Sequence, residues 1–214
     1  AGFNKAVFVI KKEIEKDLQL LRENKLTTIR VFPNWRDFQP VIPIYTCEGV
    51  IREYLMEGEI EPENPYFLSE VMISRFEKFC DLANKYNIKL IVGLLTGWMS
   101  GKLYCPPVLN GKNLISDPEA LMWMRRFIHR FVKELKDKKA IVMWDLGNEC
   151  NCMGEAKTPY EAYMWAATVA DSIRAEDNTR PVSSGMHRMT SGFGETEDQW
   201  FLEEQAELVD VMTT

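Results

Sequence analysis

Short apolar runs alternate with longer amphipathic stretches along almost the whole chain, and this alternation restricts the fold more than any other feature. Leu26-Thr27-Thr28-Ile29-Arg30-Val31-Phe32 is β-branched and reads as a strand. So do Lys89-Leu90-Ile91-Val92-Gly93-Leu94-Leu95, Ala140-Ile141-Val142-Met143-Trp144, Pro181-Val182-Ser183-Ser184 and Val209-Asp210-Val211-Met212. Most are near-continuous apolar runs, the pattern of parallel strands buried on both faces. Helical signals lie between them. Ile14, Leu18 and Leu21 repeat at i, i+4 and i+7, and Val71, Phe76, Phe79 and Ala83 form a second stripe. Asp117-Pro118 supplies an N-cap with proline at N1. Thr158-Pro159-Tyr160-Glu161 has the spacing of a capping box. A fifth helix is predicted around Asp198 to Leu208. Repeated strand–helix alternation requires a parallel sheet, open or closed. No linker, low-complexity tract or repeat interrupts it, so residues 1–214 read as a single domain.

Bulk properties narrow the function. A net charge of −6 argues against a nucleic-acid partner, which needs a basic face to neutralise phosphates. No apolar run approaches the ~20 residues that span a bilayer, so no membrane partner is expected. The acidic, aromatic-rich composition suits a neutral, hydroxyl-bearing ligand. Five cysteines, Cys47, Cys80, Cys105, Cys150 and Cys152, show no disulfide framework spacing. They tilt the reading towards a reducing compartment such as the cytoplasm, with secretion left open. Cys150 and Cys152 lack the two further ligands a zinc site needs, because the only histidines, His129 and His187, lie far apart in sequence. No Gly-x-Gly-x-x-Gly or Gly-Lys-Ser/Thr phosphate loop is present. Neither a metal nor an organic cofactor is expected.

Chemistry-bearing residues fall repeatedly at strand ends. Trp98 follows one predicted strand, Asn148-Glu149 the next and His187 a third, while Arg30 lies within the first. In parallel α/β proteins the functional face is built from the C-terminal ends of strands. The sharpest local feature is Trp144-Asp145-Leu146-Gly147-Asn148-Glu149-Cys150-Asn151, a buried strand running into a glycine, a carboxamide and a carboxylate. Alone, the Asn-Glu pair reads as a solvated polar turn rather than as a site.

That segment resembles the fourth-strand signature of the large clan of (β/α)8-barrel glycoside hydrolases that includes family-five cellulases and mannanases. Ile29-Arg30-Val31-Phe32 resembles strand two of the clan, and Leu94 to Gly101 falls where strand three and its loop belong. Leu208-Val209-Asp210-Val211-Met212 resembles the approach to strand six. The resemblance implies a TIM barrel, and retaining hydrolysis of β-linked oligo- or polysaccharides of mannan or glucan type. It implies Glu149 as general acid/base, Asn148 as the group that binds the sugar 2-hydroxyl, and Arg30 as the support of the catalytic nucleophile. The chemistry needs such a set: an acid protonates the leaving oxygen while a second carboxylate attacks the oxocarbenium-like centre. Arg30, permanently charged, can hold that carboxylate ionised, or can form a structural ion pair. Trp35 and Trp98 are candidate sugar-stacking platforms, or else core tryptophans. His187 is placed to bond substrate or orient Glu149, or to pack as an ordinary histidine. Asp145 receives no role, and a thiol nucleophile at Cys150 or Cys152 would need a nearby base.

Two other readings compete. One is a carbohydrate-binding barrel without catalysis; the other is a metal-dependent sugar-converting barrel that gathers Glu149, His187 and further carboxylates around a cation. The alignment of segments corresponds to strands two to six of a barrel, with strands seven and eight and most of strand one expected outside residues 1–214. The nucleophile is accordingly expected beyond Thr214. The unpaired edges of such a piece would favour association.

Overall fold

The computed structural model describes residues 2–57, 64–191 and 199–213. Helix α1 (Gly2–Glu23) leads into strand β1 (Thr28–Val31). A short helix α2 (Trp35–Phe38) and a hairpin of β2 (Val41–Tyr45) and β3 (Ile51–Met56) follow. Then come α3 (Glu70–Lys85), β4 (Lys89–Leu95) and a second, small hairpin of β5 (Trp98–Met99) and β6 (Lys102–Leu103). The rest is α4 (Pro118–Leu135), β7 (Ile141–Gly147), α5 (Pro159–Arg174), β8 (Val182–Ser183) and α6 (Leu202–Ala206).

One sheet organises the molecule. Its order is β1-β4-β7-β8, all parallel, and Val211 continues it through a parallel bridge to Ser183. The five predicted strand segments are therefore neighbours in the expected order. The last is reduced to a bridge, in which Asp210 N and Val211 N still donate to the Val182 carbonyl and Ser184 N to the Val211 carbonyl, and side chains add further bonds. The Asp210 carboxylate accepts from Val182 N at 2.9 Å, and Arg174 donates to the Leu208 carbonyl and to Asp210.

The chain enters β1 and β4 by the same device. At the end of α1, Lys25 has φ 63°, its N–H reaches the Arg22 carbonyl, and Leu26 N–H reaches Leu21. At the end of α3, Asn87 has φ 55°, with Asn87 N–H on Asn84 and Ile88 N–H on Ala83. Both are paired 5→2 and 6→1 closures on a left-handed residue, which reverse the chain without leaving carbonyls unsatisfied. Caps fix the helix starts as well. Asp117 accepts from Glu119 N and Ala120 N, and Thr158 Oγ1 accepts from Glu161 N. The Glu161 carboxylate reaches back to Lys157 N, one residue before the partner a strict capping box would use.

Two expectations need adjustment, and one element is new. Val71 is half exposed, and the buried face of α3 is instead Ile73, Cys80 and Ala83, with Phe76 and Phe79 packed beside them. The fifth helix is confined to Leu202–Ala206, and Asp198 lies outside the described residues. The β2–β3 hairpin was not anticipated, although Val41-Ile42-Pro43-Ile44-Tyr45 and the Gly49 turn (φ 80°) carry a strand-and-turn signal.

Helices cover the sheet with an aromatic layer. Phe127 and Phe131 of α4 pack on each other, on Trp35 and Phe38, and on Trp144 of β7. Trp144 donates its indole N–H to Asp177 at 2.9 Å. Burial alone would raise the Asp177 carboxyl, but hydrogen bonds from Thr179, Trp144 and Arg180 outweigh it and hold the pKa down to about 2. A depressed carboxyl stabilises the fold above its unfolded pKa of 3.8, and that contribution fades as pH falls towards about 2. Asp177→Asn is therefore expected to destabilise the protein by about 2 kcal/mol at neutral pH. The difference in thermal midpoint from the parent should shrink steadily between pH 4 and pH 2; a pH-independent difference would show that charge is not the cause.

Candidate active site

The candidate site is assembled at the C-terminal ends of β1, β4, β7 and β8. Strand alternation sends Trp144 outward to the helices and leaves its neighbour Asp145 on the other face. There Arg30 of β1 reaches Asp145 through a two-pronged contact, Nε to Oδ2 at 3.0 Å and Nη2 to Oδ1 at 3.1 Å. The two strands are not neighbours, since β4 lies between them. The crossing is open because β4 presents Gly93 at that level, paired in register with Asp145. A Cβ at Gly93 would lie 2.7 Å from two ring carbons of Phe32, and that ring also carries the Arg30 guanidinium, 4.7 Å from its centroid.

Asp145 is fully buried and collects further donors: Ser183 Oγ at 2.9 Å and Gly147 N at 2.9 Å. Burial is the largest influence on its carboxyl and raises the pKa, while Arg30, Ser183 and the Gly147 N–H pull it down. Arg30 Nη2 also donates to the Gly147 carbonyl at 2.8 Å. Both sides of the Gly147 residue are thus held by one ion pair.

Beyond Gly147, Asn148 donates Nδ2 to the Trp98 carbonyl at 2.8 Å, which ties the end of β7 to the β5–β6 hairpin. Glu149 has φ 48° and ψ 48°, left-handed geometry that a non-glycine residue adopts only when its surroundings impose it. The next residues form a 3-10 turn, Cys150–Cys152, in which Cys150 N–H donates to the Gly185 carbonyl. The effect is to lift the Glu149 side chain out of the wall, where it is 36% exposed. His187 Nδ1 stands 3.6 Å from Glu149 Oε1, too long for a hydrogen bond and close enough for charge to be felt.

The predicted residues divide clearly. Arg30, Asn148, Glu149, His187 and the Trp98 backbone come together. Trp35 does not: it is fully buried, packs against Phe127 and donates its indole N–H to Gln39. A side chain enclosed in that way cannot serve as a sugar platform, so the reading of Trp35 as a stacking residue is corrected to a core tryptophan. Trp98 is half-buried against the core, and its visible contribution is its carbonyl. The guanidinium of Arg30, expected to support a nucleophile, is paired in this chain with Asp145. Burial pushes the Cys150 thiol well above its ordinary value; burial and the Glu149 charge also raise Cys152. Both stay protonated and poorly nucleophilic at neutral pH.

Two residues were missed. Asp145 had no role assigned, although a carboxylate in an otherwise apolar strand is itself a signal for a buried partner. Asn151 accepts from His187 N at 2.9 Å and donates to the Arg188 carbonyl at 2.8 Å, pinning the loop that carries His187 to the turn after Glu149. Nothing in the spacing of Asn151 announces that role.

Residues 77–195, which include every strand-end residue from Trp98 to His187, match the family model described as glycosyl hydrolases family 2, TIM barrel domain. More than half of the chain is matched, and the chain belongs to this family. Comparison with curated proteins gave no match. Among solved structures, it is similar to an exo-β-1,4-mannosidase from Opitutaceae bacterium strain TAV5, with 26% identity and a TM-score of 0.67 over 82% of this chain and 28% of that one. A GH5_18 variant from Streptomyces cattleya in complex with Manβ1-4GlcNAc gives 17% identity and a TM-score of 0.70, over 92% of this chain and 44% of that one. The endo-1,4-β-mannanase from Rhizomucor miehei gives 13% and 0.64, over 92% and 60%. The last two likenesses establish the fold alone. The fold is part of a TIM barrel, and the chain spans between about a quarter and three fifths of the length of these solved chains. The expected likeness to family-five enzymes thus holds among the structural neighbours, while the matched family model is that of family 2.

Proposed function

We propose that the protein containing this domain is a retaining β-glycosidase acting on β-mannosidic linkages, with Glu149 as its general acid/base. The observation that carries the reading is the placement of Glu149. A carboxylate at the end of a central barrel strand, in enforced left-handed geometry, stands beside Asn148 and His187 at a partly exposed surface. A positioned carboxyl can deliver a proton to a leaving oxygen and later recover one from water. Asn148 is within reach of the same region to bond a sugar hydroxyl. The second carboxylate required for retention belongs to a later barrel strand in this reading. Mannosides are favoured because the solved neighbours described above are named as mannosidase or mannanase, or hold a mannosyl disaccharide.

The test is the stereochemistry of turnover by the whole protein. Proton NMR of 4-nitrophenyl β-mannoside hydrolysis should show the β-anomer of mannose first, before mutarotation. The α-anomer first would make the enzyme inverting. Binding of β-mannotriose without cleavage of any β-glycoside would make it a sugar-binding barrel.

A further inference from the structure

We infer that Asp145 is a positioning residue for Glu149, acting by clamping the Gly147 peptide units from β7 while Arg30 holds them from β1. The inference rests on the acid/base reading of Glu149 and adds what fixes that residue in place. Asp145 Oδ1 accepts the Gly147 N–H at 2.9 Å, and Arg30, itself paired with Asp145, donates to the Gly147 carbonyl at 2.8 Å. Ser183 Oγ donates to Asp145 Oδ2 at 2.9 Å and so ties β8 into the same group. Gly147 lies two residues before Glu149. On the far side Cys150 N–H is held by the Gly185 carbonyl at 3.2 Å. Glu149 thus sits between two pinned peptides, which is what a non-glycine residue at φ 48° requires.

The cluster is built for the purpose rather than for packing. A buried carboxylate among apolar neighbours destabilises the fold unless each oxygen is satisfied. Here both oxygens receive donors, from three different strands. Gly93, Gly147 and Gly185 supply the room: a Cβ at Gly147 would meet the Leu95 carbonyl and the Cys150 sulfur, and one at Gly185 would meet Gly147 and Asp145. Three glycines around one carboxylate hold the backbone of β7 close against both neighbouring segments.

The experiment compares leaving groups in the whole enzyme. If Asp145 acts through Glu149, Asp145→Asn should weaken proton delivery. Hydrolysis of poor leaving groups should then fall by about 100-fold, as for a small misplacement of a catalytic group. Glycosylation by dinitrophenyl glycosides, which need no proton, should fall far less, so the dependence of kcat/KM on leaving-group pKa becomes steeper. Ser183→Ala removes one donor and no charge, and should steepen the same dependence by a smaller amount; it carries the test if Asp145→Asn does not fold. A purely structural role would lower all substrates equally through the folded fraction. Equal losses across leaving groups in the folded variant would therefore overturn the inference. Glu149→Ala serves as the reference. Should it show no leaving-group dependence, the acid/base reading itself fails. Should it show one that the Asp145 and Ser183 variants lack, only the clamp fails.

Discussion

Glu149→Ala in the whole enzyme is expected to reduce turnover of β-mannotriose by about 10³-fold, within the range that general acid–base catalysis contributes. The argument is chemical. An alkoxide leaving group has a pKa far above that of a carboxylic acid, and it departs at a useful rate only if protonated as the bond breaks. If Glu149 supplies that proton, as proposed, its removal takes nothing from the attack on the anomeric carbon. Activated aryl substrates should therefore still form the glycosyl-enzyme, then stall because water lacks its base. Azide, a nucleophile that needs no deprotonation and fits the vacated space, should restore turnover on those substrates and release a β-glycosyl azide. Undiminished kcat on the trisaccharide would take Glu149 out of the mechanism. An absence of azide rescue, with the trisaccharide loss present, would assign the residue a binding role.

The largest expected effect on stability is at Gly185. Its φ of 62° is left-handed, and a Cβ there would collide with the Gly147 carbonyl and with Asp145. Alanine incurs about 1–2 kcal/mol for the backbone conformation. Displacing well-packed, hydrogen-bonded neighbours adds about 1–3 kcal/mol. The sum is a large share of the ~5–15 kcal/mol that holds a typical protein folded. Thermal unfolding of Gly185→Ala followed by circular dichroism should show a midpoint lower by roughly 10 °C. Gly111 provides the control, because its φ of 77° is similar and nothing lies within 4 Å of a built Cβ. Gly111→Ala should show the conformational part alone. Equal effects at the two positions would mean that the contacts around Gly185 contribute nothing.

The sheet was legible because parallel strands write themselves as continuous apolar runs. Lys89–Leu95 is recovered residue for residue, and the Asp117-Pro118 start of α4 follows from local chemistry alone. What stayed hidden was decided by contacts distant in sequence. Val209 to Met212 has the composition of a strand, yet it forms a single bridge to Ser183, with side-chain bonds from Asp210 and Arg174 beside its backbone ones. Within the site, Glu149 and Asn148 stand out in the sequence because their type and order carry a resemblance. Trp35 could not be distinguished from an exposed platform, since burial depends on Phe127, far along the chain, and on the turn at Gly97. Asp145 was visible as a carboxylate in a strand, but its partner Arg30 is 115 residues away and its access depends on a glycine in a third strand.

That separation bears on how the molecule acquires its working geometry. Closing a long loop is entropically dearer than closing a short one, so contacts between near segments tend to form ahead of distant ones. The β4–β7 pairing and the α4–α5 packing join segments nearer in sequence than Arg30 and Asp145, whose tie draws β1 across a neighbouring strand to meet β7. The clamp on Gly147 is then expected to be completed after the β4–β7 pairing and to be released when β1 loosens. A molecule in that condition would keep the β4–β7 pairing and lose the contacts that fix the backbone around Glu149.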